Sequence, residues 1–153
     1  MAQQEPVLPQ RDIEQVATTV VNTAFVLHQE VGPGLLESVY EAILASMLTG
    51  QGLYVERQKL VPIYYRGLVL DEGFRLDLLI DGQLVVELKS VEKLLPVHLK
   101  QLLTYLRLMN LPLGLLINFG APLLRDGLKR VVNNLQNSAS SPLRIHKSVV
   151  SEH

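Results

Sequence analysis

Apolar residues at helical spacing predict two helices in the first third of the chain. The first begins after Asp12, whose carboxylate can cap it, and ends at the Gly-Pro-Gly of residues 32–34. The second runs from about Leu36 to Leu48 and stops at Gly50. The chain therefore begins its ordered part with helical structure.

After residue 52 the period changes to that of β-strands. Four segments have this pattern, and the turn residues Asp81-Gly82 join the last two of them into a hairpin. The four segments are residues 53–58, 60–65, 69–80 and 84–90. A wholly apolar run at residues 114–120 predicts a further strand that is covered on both faces.

Two more helices are predicted in the second half of the chain. Pro96 can open one that runs through Met109. Another is predicted from Pro122 to about Asn134. This order of elements predicts an α/β fold with a mixed β-sheet flanked by helices.

The length of 153 residues fits one domain, which we place at residues 12–134. We expect residues 1–11 to be a flexible N-terminal arm and residues 135–153 to be a polar tail or a weak terminal strand. No apolar stretch of ~20 residues is free of charges or breakers, and the N-terminus lacks a signal-peptide core, so we expect a cytoplasmic protein with no membrane partner. The absence of cysteine excludes disulfides and thiolate zinc sites.

The formal net charge is −1, so a nucleic-acid partner would have to be held by a local patch of charge. Hydrophobic residues make up 48% of the chain, and the first helix carries them over a wide arc. A helix that is apolar around most of its surface is buried on more than one side. The sequence therefore predicts a homo-oligomer, most simply a two-fold dimer.

The candidate chemistry lies in the predicted hairpin. Asp77 is an isolated acid in one apolar run, and Glu87 and Lys89 are two apart in the next, so the latter two point to the same face of a strand. Charges in a Val/Leu-rich strand are costly unless they are paired or used. Two carboxylates beside a lysine are what a magnesium-dependent phosphodiesterase requires. The alternative from these residues alone is a surface ladder of cross-strand salt bridges.

The length of the hairpin loop decides whether the two acids can meet. A two-residue Asp81-Gly82 turn would pair Leu76 with Glu87 and place Asp77 and Glu87 on opposite faces. A three-residue loop, or a bulge near Asp77, would bring both to one face. A shared metal site therefore makes a structural demand that a salt-bridge ladder does not.

The third predicted helix carries a polar stripe. Gln101 and Tyr105 are four apart and His98 lies three before Gln101, so the three share one face. The stripe can face either solvent or the candidate site of Asp77, Glu87 and Lys89. Two roles remain for His98: it can donate a hydrogen bond to the site, or it can bond locally at the start of the helix.

Glu37 and Tyr40 also share a helix face, in Gly34-Leu-Leu-Glu-Ser-Val-Tyr40. Taken alone, the pair is explained by a first-turn glutamate that the helix dipole favours and by a tyrosine that packs nearby.

Taken together, these segments resemble the GxxExxY proteins, which are placed in the RecB-like branch of the PD-(D/E)xK nuclease superfamily. The resemblance covers about Ile13 to Asn133. The segments that carry it are Gly34-x-x-Glu-x-x-Tyr40, Gly73-Phe-Arg-Leu-Asp77, Val86-Glu-Leu-Lys-Ser-Val-Glu-Lys-Leu94, His98 with Gln101-Leu-Leu-Thr-Tyr-Leu106, and Gly114-Leu-Leu-Ile-Asn-Phe-Gly120.

The resemblance implies a PD-(D/E)xK nuclease-like core with a site for Mg²⁺ or Mn²⁺. Asp77 and Glu87 would be direct ligands, with the Leu88 carbonyl as a third. Glu37 would be a further acid, either on the metal or just behind it.

The resemblance also implies the catalytic groups. Lys89 would be the catalytic lysine, and Gln101 and Tyr105 would orient water or phosphate. Four further residues are expected on the substrate side: Tyr40, Arg75, His98 and Lys100.

Two functions follow as hypotheses. The first is a metal-dependent nuclease that hydrolyses DNA or RNA. The alternative is a catalytically silent nuclease-like module that binds nucleic acid or self-assembles. A complete set of two acids and a lysine favours the first, whereas the near-neutral charge and high apolar content favour the second.

Overall fold

The computed structural model describes residues 10–134 continuously, together with residues 4, 6–8 and the backbone of 144–145. Four helices and six strands are present in this part of the chain. The helices are α1 (Ile13–Val31), α2 (Glu37–Gly50), α3 (Pro96–Met109) and α4 (Leu124–Gly127). The strands are β1 (Val55–Tyr65), β2 (Leu68–Ile80), β3 (Leu84–Lys89), β4 (Leu113–Asn118), β5 (Leu128–Val132) and β6 (Arg144–Ile145).

The strands form one mixed sheet in the order β5-β4-β3-β2-β1-β6. The β3–β4 pair is parallel and α3 connects its two strands, while every other neighbouring pair is antiparallel. A parallel pair needs such a crossover connection, and this one carries the helix that covers the sheet. The predicted α/β fold with a mixed sheet flanked by helices is confirmed.

The sheet separates two apolar clusters. Helices α1 and α2 cover one face, where Val86 and Leu88 of β3 are fully buried, and α3 covers the other, where Val85 is fully buried. Because side chains alternate along a strand, Glu87 and Lys89 lie on the α3 face with Val85. The sequence period thus places both charged residues under α3.

The helix predicted from Pro122 to about Asn134 is wrong. Only the four-residue α4 forms there, and the chain then continues as β5. Strand β5 pairs antiparallel with β4 over Leu113–Ile117. Since β4 is buried along its whole length, its outer backbone groups need a hydrogen-bonding partner, and β5 provides it. This requirement overrides the local preference for a helix.

The predicted strands 53–58 and 60–65 are one strand, β1, which changes conformation at Gln58. The remaining predicted helices, the hairpin and β4 are confirmed.

The sequence predicts a flexible arm for residues 1–11 and a polar tail or a weak terminal strand for residues 135–153. Within residues 1–11, Arg11 forms an ion pair of 2.8 Å with the buried Asp81. In the C-terminal segment, residues 144–145 pair with Ile63 and Tyr64 of β1. The other parts of residues 135–153 lie outside the described residues, as do residues 1–3, 5 and 9. In the described part of the chain no helix is long and apolar enough to cross a membrane.

Candidate functional site

The β2–β3 hairpin places Asp77 opposite Glu87. Its loop has three residues, 81–83, and the paired residues are Ile80 with Leu84, Leu79 with Val85, and Leu78 with Val86. The next pair in this register is Asp77 with Glu87, but the backbone ladder stops before it. The structure therefore has the odd-length loop that a shared site requires. The two acids lie where the pairing of β2 with β3 ends, and we call this place, with Asp77 and Glu87, the fork.

The acidic side chains replace the missing ladder bonds. The Leu88 N–H donates to Oδ2 of Asp77 at 2.8 Å, and the Asp77 N–H donates to Oε1 of Glu87 at 3.3 Å. Each carboxylate thus accepts from the opposite strand. Both carboxylates are held at the fork by backbone donors, so their positions depend little on side-chain freedom.

The electrostatics of the fork show a shortage of positive charge. Burial and then the neighbouring charge of Asp77 raise the pKa of Glu87 to about 9, while Lys89 acts in the opposite direction. The pKa of Glu37 is also raised, first by burial, although Lys89 lowers it and Asp77 raises it. Among the described residues, none of these three acids has an ion-pair partner. A bound cation would supply the missing charge.

The raised pKa of Glu87 predicts a specific loss of stability with pH. In the metal-free protein Glu87 is protonated in the fold but ionised in the unfolded chain between about pH 4.5 and 9. Its stabilising contribution is therefore present below pH 4.5 and is lost as the pH rises toward 9, with an upper limit of about 1.4 kcal/mol per pH unit. Urea unfolding in EDTA at a series of pH values should show this decline. Glu87→Gln should flatten it, whereas Glu30→Gln, at an exposed position, should not.

Helix α3 brings Tyr105 and Gln101 to the fork. Burial raises the pKa of the Tyr105 hydroxyl, the charges of Glu87 and Asp77 raise it further, and the Gln101 side chain lowers it. The Tyr105 ring stacks on Phe74 of β2, with ring centroids 4.5 Å apart. Stacking on Phe74 thus orients the tyrosine, and its hydroxyl lies within the electrostatic influence of Gln101 and of the two acids.

Lys89 lies on the same face of β3 as Glu87 and is partly buried. It forms no ion pair within the described residues, although its charge acts on both Glu37 and Glu87. Its ammonium group is therefore near the acids without being locked onto one of them.

Tyr40 lies in the core rather than at the rim of the site. It is fully buried, and its ring stacks on Phe119 at 4.5 Å. Its hydroxyl donates to the Gly32 carbonyl at 2.6 Å and accepts from the Leu35 N–H at 3.2 Å. These bonds hold the loop that leads into Glu37. We therefore assign Tyr40 to the fold and not to substrate binding, because it has no surface to offer a ligand.

The other residues predicted on the substrate side differ in whether their side chains already have partners in the fold. His98 is half-buried, and its Nδ1 accepts from the Leu95 N–H at 3.0 Å, which is the local bond of a helix-start histidine. Arg75 and Lys100 are exposed, and neither has an ion-pair partner in the described part of the chain. These two cations are available to an anionic ligand.

Two polar residues at the site were missed in the sequence. Glu41 is buried, 5% exposed, and forms an ion pair of 3.2 Å with Arg57. Gln58 donates to both Glu41 and Asp77. The four-residue spacing of Glu37 and Glu41 on one helix face could have indicated the first. No local signal indicates Gln58, because its partners are distant in sequence.

The donor set fits a divalent cation. In the part of the chain that the structure describes, no three or more His, Asp or Glu side chains are grouped as a metal site. Two carboxylates, Asp77 and Glu87, stand together with the backbone of Leu88 beside them. Mg²⁺ commonly binds through one or two carboxylates and retains several waters, so this smaller set is sufficient for it.

Comparison with known proteins gives a family match that spans the residues of this site. The family model of the PD-(D/E)XK nuclease superfamily matches residues 14–131, which include both acids, Lys89 and all of α3. The comparisons with curated proteins and with solved structures gave no match. Since the family match extends over more than half of the 153 residues, this chain belongs to the PD-(D/E)XK nuclease superfamily.

Proposed function

We propose that this protein is a nuclease that depends on Mg²⁺ or Mn²⁺ and hydrolyses phosphodiester bonds of DNA or RNA. The observation that carries the proposal is the fork between β2 and β3, where Asp77 and Glu87 face each other and neither forms an ion pair with a described residue. Lys89 stands on the same face, two residues beyond Glu87. The family match to a nuclease superfamily supports this assignment.

In this proposal Asp77, Glu87 and the Leu88 carbonyl hold the cation, and Glu37 is a further acid behind them. When bound, the cation supplies Lewis-acid stabilisation of the charge that builds on the phosphate oxygens. The Leu88 N–H holds the Asp77 carboxylate in place, because it donates to Oδ2 at 2.8 Å.

The catalytic groups surround the place where the phosphate would sit. Lys89 donates to the developing negative charge, and Gln101 and Tyr105 orient the attacking water or the phosphate. On the substrate side, Arg75 and Lys100 contact neighbouring phosphates as exposed cations. His98 keeps its place at the start of α3 and borders this side.

We also propose the narrower assignment to the GxxExxY proteins of the RecB-like branch. Two features of α2 and its loop support it. Gly34 adopts φ 112°, which favours glycine, and Tyr40 clamps the loop that presents Glu37. In the Gly-x-x-Glu-x-x-Tyr motif, Gly34 thus forms the turn, Glu37 is the acid directed to the site, and Tyr40 fixes the loop from within the core.

The test is a cleavage assay with single- and double-stranded DNA and RNA, in Mg²⁺, in Mn²⁺ and in EDTA. We expect cleavage of at least one substrate with a divalent ion and none in EDTA. Binding of nucleic acid without cleavage under every condition would instead establish the silent module. The net charge of −1 and the high apolar content are the features that favour that alternative.

We further propose that the protein is a two-fold dimer. The wide apolar arc predicted for α1 is mostly used in the core, since Val16, Val20, Ala24 and Leu27 are buried. A cluster of exposed apolar residues nevertheless remains at the end of α1, in the following loop and at the start of α2. Its members are Phe25, Val26, Val31, Leu35, Leu36 and Val39. A patch of this kind marks an interaction surface.

Light scattering should therefore give about twice the mass of the 17.1 kDa chain. Val26→Lys, in the patch, should shift the protein to the monomer, because a stable interface of at least ~1,000 Å² cannot bury an unpaired ammonium. Val132→Lys, at an exposed position on β5, is the matched control. A wild-type protein of single-chain mass at micromolar concentration would refute the dimer.

A further inference from the structure

Gln58 has a backbone conformation that its position in a strand does not predict. Its φ is 49°, in the left-handed region, although it lies within β1. For a residue other than glycine this conformation costs free energy and persists only where the surroundings stabilise it. In a regular strand Arg57 and Gln58 would point to opposite faces. Here both side chains reach Glu41 of α2.

The amide of Gln58 connects two acids. Its Nε2 donates to Oδ1 of Asp77 at 3.3 Å and to Oε1 of Glu41. Carboxylate oxygens only accept, so the atom that faces both must be the amide nitrogen. On the far side, Arg57 binds Oε2 of Glu41 at 3.2 Å. A continuous chain therefore runs from Arg57 through Glu41 and Gln58 to Asp77.

The chain fixes the free oxygen of Asp77. Oδ2 is held by the Leu88 N–H at 2.8 Å, and Oδ1 is held by Gln58. Glu41 is a firm anchor because it is buried and is itself paired with Arg57. With both oxygens held, the carboxylate plane cannot rotate away from Glu87.

We infer that Gln58 is a positioning residue, which orients the Asp77 carboxylate toward Glu87 before any ligand arrives. The consequence for cation affinity rests on the proposed function, but the orientation itself does not. The left-handed backbone has a role in this account: it turns Gln58 to the side on which Glu41 and Asp77 lie.

Gln58→Gly separates this role from a structural one. Glycine adopts φ 49° without strain, and this relief offsets part of the loss of the two hydrogen bonds, so the variant should remain folded while lacking the amide. Arg66→Gly is the matched control, because Arg66 has φ 46° at the β1–β2 turn. In the metal-free protein we expect the Leu88 amide to exchange with solvent about tenfold faster in Gln58→Gly only. Amides of β4 provide the reference for global stability.

A second measurement is Mn²⁺ affinity by calorimetry. Loss of an outer hydrogen bond to a ligand typically weakens metal binding 10–100-fold, so we expect a decrease of at least about tenfold in Gln58→Gly and none in Arg66→Gly. Gln58→Asn keeps a residue that tolerates the left-handed region but is too short to span both acids, and it should behave like Gln58→Gly.

A failure of the positioning role can be distinguished from a failure of the proposed metal site. Leu88 exchange that is unchanged in both Gln58 variants would overturn the positioning role, whatever the metal result. Faster Leu88 exchange together with a wild type that binds no Mn²⁺ would support the positioning role and refute the proposed metal site.

Discussion

Lys89→Ala is expected to reduce metal-dependent cleavage by at least about a hundredfold, the size of effect seen when a donor to a developing oxyanion is removed. The ammonium group lies on the same face as Glu87 and has no ion-pair partner among the described residues. It is therefore available to charge that appears only in the transition state. Initial rates on the best substrate of the cleavage assay would measure the loss.

The fold and the cation site should survive this change. Lys89 is only partly buried, and it contributes a charge near Glu37 and Glu87 rather than a core contact. Mn²⁺ affinity should be unchanged or slightly higher, because a neighbouring positive charge is removed. Lys129→Ala, at an exposed position on β5, is the matched control and should cleave like the wild type. Equal cleavage by Lys89→Ala would refute the catalytic role.

Asp77→Asn is expected to weaken both Mn²⁺ binding and cleavage, each by about a hundredfold or more. The substitution keeps an oxygen that can accept from the Leu88 N–H, but it removes one of the two anionic groups at the fork. The loss should therefore appear already in the binding step. Calorimetry with Mn²⁺ and cleavage rates at saturating ion separate binding from chemistry.

Lys89→Ala and Asp77→Asn should differ in whether the cation still binds. Lys89→Ala should bind the ion like the wild type and lose most of its cleavage, whereas Asp77→Asn should lose most of both. The metal-free Asp77→Asn protein should remain folded, because the change removes a charge that raises the pKa of Glu87. Asp126→Asn, at an exposed position on α4, controls for the loss of one carboxylate. Unchanged Mn²⁺ affinity in Asp77→Asn would contradict the proposed ligand.

Elements whose signals are local could be predicted from the amino-acid sequence alone. Apolar residues at a helical period predicted α1, α2 and α3, and the turn at Asp81-Gly82 predicted the hairpin. The two-residue strand period placed Glu87 and Lys89 on one face, and four-residue helical spacing placed Gln101 with Tyr105. These relations hold wherever the segment lies in the fold, because they depend only on backbone geometry within it.

The relations between distant segments depended on how those segments pack in the folded protein. The sequence permitted a hairpin loop of either parity, and the structure selected the three-residue loop that sets Asp77 opposite Glu87. Tyr40 shares a helix face with Glu37, yet packing on Phe119 removed it from the surface. The segment after Gly127 became a strand because β4 needed a partner along its free edge.

Gln58 shows the physical reason most directly. Its partners Glu41 and Asp77 are 17 and 19 residues away, and its left-handed backbone is a conformation that a strand sequence does not predict. Local patterns record the preferences of a segment for its own conformation. Hydrogen bonds and ion pairs between distant segments exist only after the sheet and helices have packed, so no period in the sequence contains them.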